Sequence, residues 1–330
     1  MRRKNDQEKK DIHEAEKLFD EESIGGASLK STIKKAQRRS LFRTVFISGL
    51  VTLIIIIGGF FVYPFLMQYQ EQKAVNESGI LSEDKYKSPN IHLTGPQISY
   101  NGLFNGTVTF EQYKIIDGKP VNWGEKSVNY SLFGNGHETY GDYSPIQLEQ
   151  VKDSRSYDKE TKQLLMEFYQ PGVEYKKMIN DFSRIDSMGE NYAAEVALSF
   201  KKPLSPQQVR ELLPENVSLE WYWIYVSDQI EDYPISSDAR YIVGFEHRND
   251  VKSETLFTNW INSVAKNKNM KSNSIIKEAY DSLKNEEGLV EEDGIKVMGV
   301  VVTGKPQDLM KTKEVSEVRT GVLGAVTNSY

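Results

Sequence analysis

No charged side chain occurs between Arg43 and Glu71, and the stretch at 44–68 reads TVFISGLVTLIIIIGGFFVYPFLMQ. Residues 45–67 would extend about 34 Å as a helix, against a hydrocarbon core of about 30 Å. The strongly apolar side chains from Leu50 to Val62 favour insertion by roughly 3–6 kcal/mol. A buried core helix is excluded because the segment has no polar face at helical spacing. The run is also longer than the apolar part of a cleavable signal, and QYQEQKAVNE after it offers no Ala-x-Ala site. The sequence therefore predicts a retained, single membrane-spanning helix at 44–68. Gly58-Gly59 and Pro64 within it are ordinary for such helices.

The span divides the charge. Residues 1–43 carry 12 Lys/Arg and 8 Asp/Glu, and the part after the span carries 29 and 39, giving −6 overall. Lys30, Lys34, Lys35, Arg38, Arg39 and Arg43 precede the span, whereas Lys73, Lys85 and Lys87 follow it. Cations gather on the cytoplasmic side, so residues 1–43 are expected in the cytoplasm and 69–330 outside, in a single-pass cell-membrane protein. The acidic bulk argues against nucleic acid as a partner, since phosphate binding needs clustered Lys and Arg. The chain has no cysteine, which excludes disulfides, thiolate zinc sites and a cysteine nucleophile.

The cytoplasmic segment reads as two short helices. In KKDIHEAEKLFDEES, Asp11 is placed to cap a helix with Glu14 three residues on, and Ile12, Ala15, Leu18 and Phe19 fall along one face. Gly25-Gly26 is expected to break it before SLKSTIKKAQRRS resumes helical spacing. Forty residues are too few for a core of their own. The apolar face then docks on a partner, lies on the inner leaflet, or is a chance pattern in a disordered segment. Ile12, Ala15, Leu18 and Phe19 are the candidate partner-binding residues.

Beyond the span the fold class is α+β. Residues 69–88 are polar and read as a tether. With it, residues 69–150 make a membrane-proximal β-rich module, in which Asn-Gly at 101–102 and 105–106 and Asp-Gly at 117–118 sit between β-branched and aromatic runs. Residues 151–330 form a C-terminal α+β domain, with a helix expected at 173–188 and others at 252–266 and 272–287. VALSFKKPLSPQQVRELLPENVSLEWYWIYV and MGVVVTGKPQDLMKTKEVSEVRTGVLGAV both run strand, Lys-Pro, short helix, strand, predicting two β-α-β units. In EWYWIYV, Trp221, Trp223 and Tyr225 share one face and Tyr222, Ile224 and Val226 the other. Apolar side chains on both faces predict a central strand covered on each side.

Catalytic patterns are lacking. HETYG at 137–141 has Gly141 where a second zinc-binding His would stand, and there is no Gly-x-Ser-x-Gly, Walker or calcium loop. Asp142/Glu149 and Glu190/Glu195 are carboxylate pairs with no signal beyond their charge. No cofactor, metal or enzymatic activity is expected.

LKSTIKKAQRRSLFRTVFISGL, SPNIHLTGPQISYNGLFNGTVTFEQYKIIDGKPVNWG and YSLFG resemble the N-terminal part of the sigma factor regulator family of Gram-positive bacteria. LLMEFYQPGVEYKKMINDFSRI, the first β-α-β unit and the closing GVVVTG…VRTGVLGAVTNSY resemble its C-terminal domain. The resemblance spans about residues 28–330. It implies a membrane-anchored anti-sigma factor that sequesters an extracytoplasmic-function sigma factor and couples it to envelope stress. The inner segment is short and lacks the His and Cys ligand set of zinc-type anti-sigma domains, which leaves most of the interface to a second subunit. The layout alone leaves a second reading open, that of an extracytoplasmic binding or scaffold protein without enzymatic activity.

Overall fold

The computed structural model describes residues 2–134, 138–141, 145–148, 155–224, 235–236, 242–266 and 274–329. Side chains are described at the same positions except 2–30, 138, 235–236 and 274. The chain divides into two compact units, Met1–Gln68 and Tyr69–Tyr330.

The first unit is helical throughout its described length and belongs to one long helix, α1 (Arg2–Ser78). The expected break at Gly25-Gly26 does not occur. A helical glycine costs only about 1 kcal/mol relative to alanine, and a helix already nucleated on both sides tolerates that. From 31 to 62 every side chain of α1 is exposed, including the apolar run.

The second unit begins inside the same helix. The expected tether at 69–88 is instead folded: α1 continues to Ser78, and Ala74, Val75, Ile80 and Tyr86 are buried. The polar letters around them concealed these four contacts. Gly79, at φ +75°, ends the helix in the left-handed conformation that glycine adopts at little cost.

Six strands follow: β1 (His92–Leu93), β2 (Gln97–Tyr100), β3 (Asn105–Ile116), β4 (Lys119–Ser131), β5 (Glu138–Tyr140) and β6 (Ile146–Gln147). The first sheet has the order β1-β3-β4-β5, with β2 also on β3. Asp117 and Gly118 both take positive φ and close the β3–β4 hairpin, as Asp-Gly predicts. Asn105-Gly106 is not a turn. It opens β3, where a Cβ on Gly106 would lie 2.3 Å from the Tyr130 ring across the ladder. β6 pairs with β7 (Ser156–Tyr157), and β8 (Glu167–Phe168) pairs with a later strand.

The helix expected at 173–188 shrinks to α2 (Phe182–Asp186). Side chains from elsewhere take the backbone groups of the preceding residues. Arg319 donates to the carbonyls of Gln170 and Val173, Thr320 Oγ1 to that of Ile179, and the amide of Ile179 donates to Tyr169 Oη.

The main sheet is built from β9 (Tyr192–Leu204), α3 (Pro206–Leu212), β10 (Ser218–Ile224), β11 (Ile235–Ser236), β12 (Gly244–Glu246), α4 (Ser253–Lys266), α5 (Ser274–Leu283), β13 (Val297–Gly304), α6 (Pro306–Lys311) and β14 (Val318–Asn328). β11 pairs with β8 apart from the sheet, whose order is β12-β10-β13-β9-β14, antiparallel throughout. β9-α3-β10 and β13-α6-β14 each straddle a strand of the other unit, the split β-α-β arrangement that the repeated strand–helix–strand pattern predicts. Ser205 caps α3 in a reciprocal box with Gln208. β10 is interior: Trp221 and Trp223 enter the core on one face, while Tyr222 and Ile224 enter the larger core under the helices.

Candidate functional site

Among the described residues, α1 is the one helix long and apolar enough to cross a membrane. Its apolar side chains, such as Ile55, Phe60 and Phe65 at 67%, 76% and 74% exposure, have no protein cover. Two of its hydroxyls are satisfied within the helix: Thr44 Oγ1 donates to the Ser40 carbonyl and Thr52 Oγ1 to that of Ser48. Ile12, Ala15, Leu18 and Phe19 lie on α1, but their side chains are outside the described residues.

Where α1 ends, two contacts fasten its exit to the folded body. Tyr86 stacks on Trp260 of α4 with ring centroids 3.6 Å apart and also meets Phe257 at 5.8 Å. Burial, with help from Glu246, pushes the Tyr86 hydroxyl up to about 12, so it stays protonated. Asp84, six residues past the helix, takes a 2.7 Å ion pair from Lys126 of β4.

A buried polar cluster joins the two sheets. Lys114 of β3, 2% exposed, places Nζ 2.7 Å from Oε2 of the fully buried Glu195 of β9. The ammonium also sits 4.1 Å from the Trp123 ring centroid. Asn90 Nδ2 donates to Glu195 Oε1 at 2.9 Å, and the amide of Ala325 donates to Oε2 at 3.3 Å. Three donors thus share the two oxygens of this carboxylate, the kind of pairing a buried ion pair needs. Nearby, Thr303 Oγ1 donates to Glu220 and accepts from the Asp117 amide. Burial raises the Glu220 carboxyl above its usual range against that hydrogen bond. Nδ1 of His92 lies 3.6 Å from Glu246 Oε1, and burial holds this imidazole below its ordinary value.

The cluster reassigns one sequence candidate. Glu195 serves packing, and Glu190 does not join it: Glu190 is exposed, and its carbonyl accepts from Ser329. Asp142, Glu149 and His137 lie outside the described residues. Among the described residues no group of three His, Cys, Asp or Glu could hold a metal. A cavity of about 450 Å³ lies beside Arg210, Arg248 and Lys252, but each cation is already paired, with Glu254, Asp250 and Glu292 respectively.

Lys114 went unremarked in the sequence, although its pattern carries a signal. It shares strand parity with Val108, Phe110 and Ile116, and Glu195 is the one acid in an apolar run. A lone charge on each of two buried faces calls for a partner of opposite sign.

These features define a class: an α+β protein with, among its described residues, one apolar helix of the kind that anchors a chain in a membrane. The chain belongs to the sigma factor regulator family. Residues 30–121 match Sigma factor regulator N-terminal, and residues 185–325 match Sigma factor regulator C-terminal. No curated protein and no solved structure matches the chain. Family membership supports an anti-sigma role in general, with a sigma factor as partner.

Proposed function

We propose that the protein is a single-pass, membrane-anchored anti-sigma factor. Residues 1–43 face the cytoplasm and hold an extracytoplasmic-function sigma factor away from RNA polymerase. Ile12, Ala15, Leu18 and Phe19 form its contact stripe, alone or beside a second membrane subunit. Residues 69–330 lie outside and couple the anchor to envelope state.

The observation that supports this reading most is the continuity of α1. One helix runs from Arg2 to Ser78, and its last turns contribute Ala74 and Val75 to the buried surface of the folded body. The excess of Lys and Arg before the span supports the orientation.

The test is co-purification. Full-length protein extracted from membranes in mild detergent should recover a sigma subunit, and the variant carrying Leu18→Asp and Phe19→Asp should lose it. Recovery of no sigma subunit by the unaltered chain would refute the proposal.

A further inference from the structure

The β3–β4 hairpin has two unlike ends. At one, Ile116 is fully buried and the Asp117 amide donates to Thr303 of the main sheet. At the other, Tyr100, Leu103, Phe104 and Phe133 are 63%, 73%, 46% and 66% exposed. These four form one patch. The Leu132 amide donates to the Phe104 carbonyl at 2.7 Å, and the rings of Phe104 and Phe133 are 5.2 Å apart. The two chain segments that carry it are also uncharged, with Lys73 and Glu77 of α1 standing beside Ser131 and Gly134. No Asp, Glu, Lys or Arg occurs between Lys87 and Glu111, or between Lys126 and Glu138, in a chain that is 27% charged.

Its position supplies the occupant. Gln70 Nε2 donates to the Leu132 carbonyl at 3.4 Å, and Gln70 lies 3.2–3.6 Å from where a Cβ on Gly134 would stand. Gln70 is two residues past Gln68, where the apolar segment ends, which along a helix is about 3 Å. The tips are therefore tied to the first turn of α1 beyond the hydrocarbon. Aromatic and aliphatic side chains among Asn, Ser and Gly are the composition that partitions into the headgroup region.

We infer that Tyr100, Leu103, Phe104 and Phe133 rest in the headgroup region of the leaflet from which the folded body emerges. The ligand is the lipid surface itself. The inference rests on the reading of α1 as a membrane anchor. The contact gives the body a second foothold on the bilayer beside its helix, so changes in lipid packing would reach the sheet directly.

The chain has no natural cysteine, so single-cysteine variants report cleanly. Leu103→Cys, Phe133→Cys, Ile55→Cys within the span and Glu287→Cys on the exposed body are labelled with a polarity-sensitive fluorophore. Each full-length variant is placed in phosphatidylethanolamine–phosphatidylglycerol nanodiscs, and matching circular dichroism spectra establish that it is folded. Labels at 103 and 133 should shift to the blue and lose emission to headgroup-level spin-labelled lipid, while the label at 287 responds to aqueous iodide alone. If the labels at 103 and 133 behave like that at 287 while the one at 55 is quenched by acyl-chain spin labels, the anchor stands and the inference is overturned. If the label at 55 also escapes lipid quenchers, the anchor reading falls and takes the inference with it.

Discussion

Lys114 and Glu195 stand 81 residues apart in sequence and 2.7 Å apart in space, one in each matched region of the chain. Their side chains are almost wholly buried, so the pair fastens the first sheet to the main one where water does not screen it. Tyr86, against Phe257 and Trp260, makes a second such link, nearer the helix. Together they make residues 69–330 a body in which the two regulator regions share a core.

Lys114→Met should destabilise that body by about 3–5 kcal/mol, because it leaves the Glu195 charge buried without its cation. Lys114→Met with Glu195→Gln should recover part of the loss, since the buried charge is gone and the one remaining side-chain oxygen still accepts from either Asn90 or Ala325, which donate to different oxygens of Glu195. Urea denaturation of the detergent-solubilised chain, run as a double-mutant cycle, checks this. Additive effects would mean the two residues do not interact.

Tyr86→Ala should cost about 3–5 kcal/mol, as aromatic-to-alanine changes in cores do, and Tyr86→Phe much less, because the ring remains. The loss should be local first. Hydrogen exchange of α4 should accelerate in the alanine variant before that of β9.

The two buried imidazoles should cost stability on mild acidification, against an opposite contribution from Glu220 and Glu167, whose carboxyls burial raises. Burial depresses the imidazoles of His92 and His247 below 6.5 in the folded protein. For His92, Lys114 adds to that depression and Glu246 and Glu195 oppose it. For His247, Arg210 adds to it, while the Asn249 hydrogen bond, Glu254 and Glu246 oppose it. The unfolded chain thus binds more protons just below pH 6.5. The stabilisation is complete above that pH and is lost as pH falls towards each depressed folded value. His92→Gln combined with His247→Gln should flatten the dependence of the denaturation midpoint in this window. An unchanged slope would place its origin elsewhere.

Ser205→Ala should cost about 1 kcal/mol, the usual value of an N-cap, by removing one half of the box with Gln208. Ser205→Asp should retain most of the stability. The midpoint of chemical denaturation reads both.

What the sequence revealed was whatever is encoded by neighbours. The apolar helix at 44–68, the Asp117-Gly118 turn, the Ser205 cap and the two-faced apolar pattern of Trp221 to Ile224 all depend on residues within a few positions of one another. The features it hid depend on distant partners. Residues 173–181 carry a helical pattern, yet Arg319, Thr320 and Tyr169 take their backbone groups. Residues 69–78 look like a polar tether until Ala74 and Val75 meet a body encoded further along. For the candidate site, Glu195 entered only as half of a carboxylate pair and Lys114 not at all, because an ion pair between residues 81 positions apart leaves no local pattern.

The central claim is that the cytoplasmic end restrains a sigma factor. The most direct measurement is transcript profiling of cells in which residues 1–28 are replaced by an unrelated helical sequence, leaving the basic flank, span and folded body intact. The account predicts that a narrow set of genes served by one sigma factor switches on, as it does when the whole gene is deleted. Transcripts that stay at their original levels after both changes would contradict it.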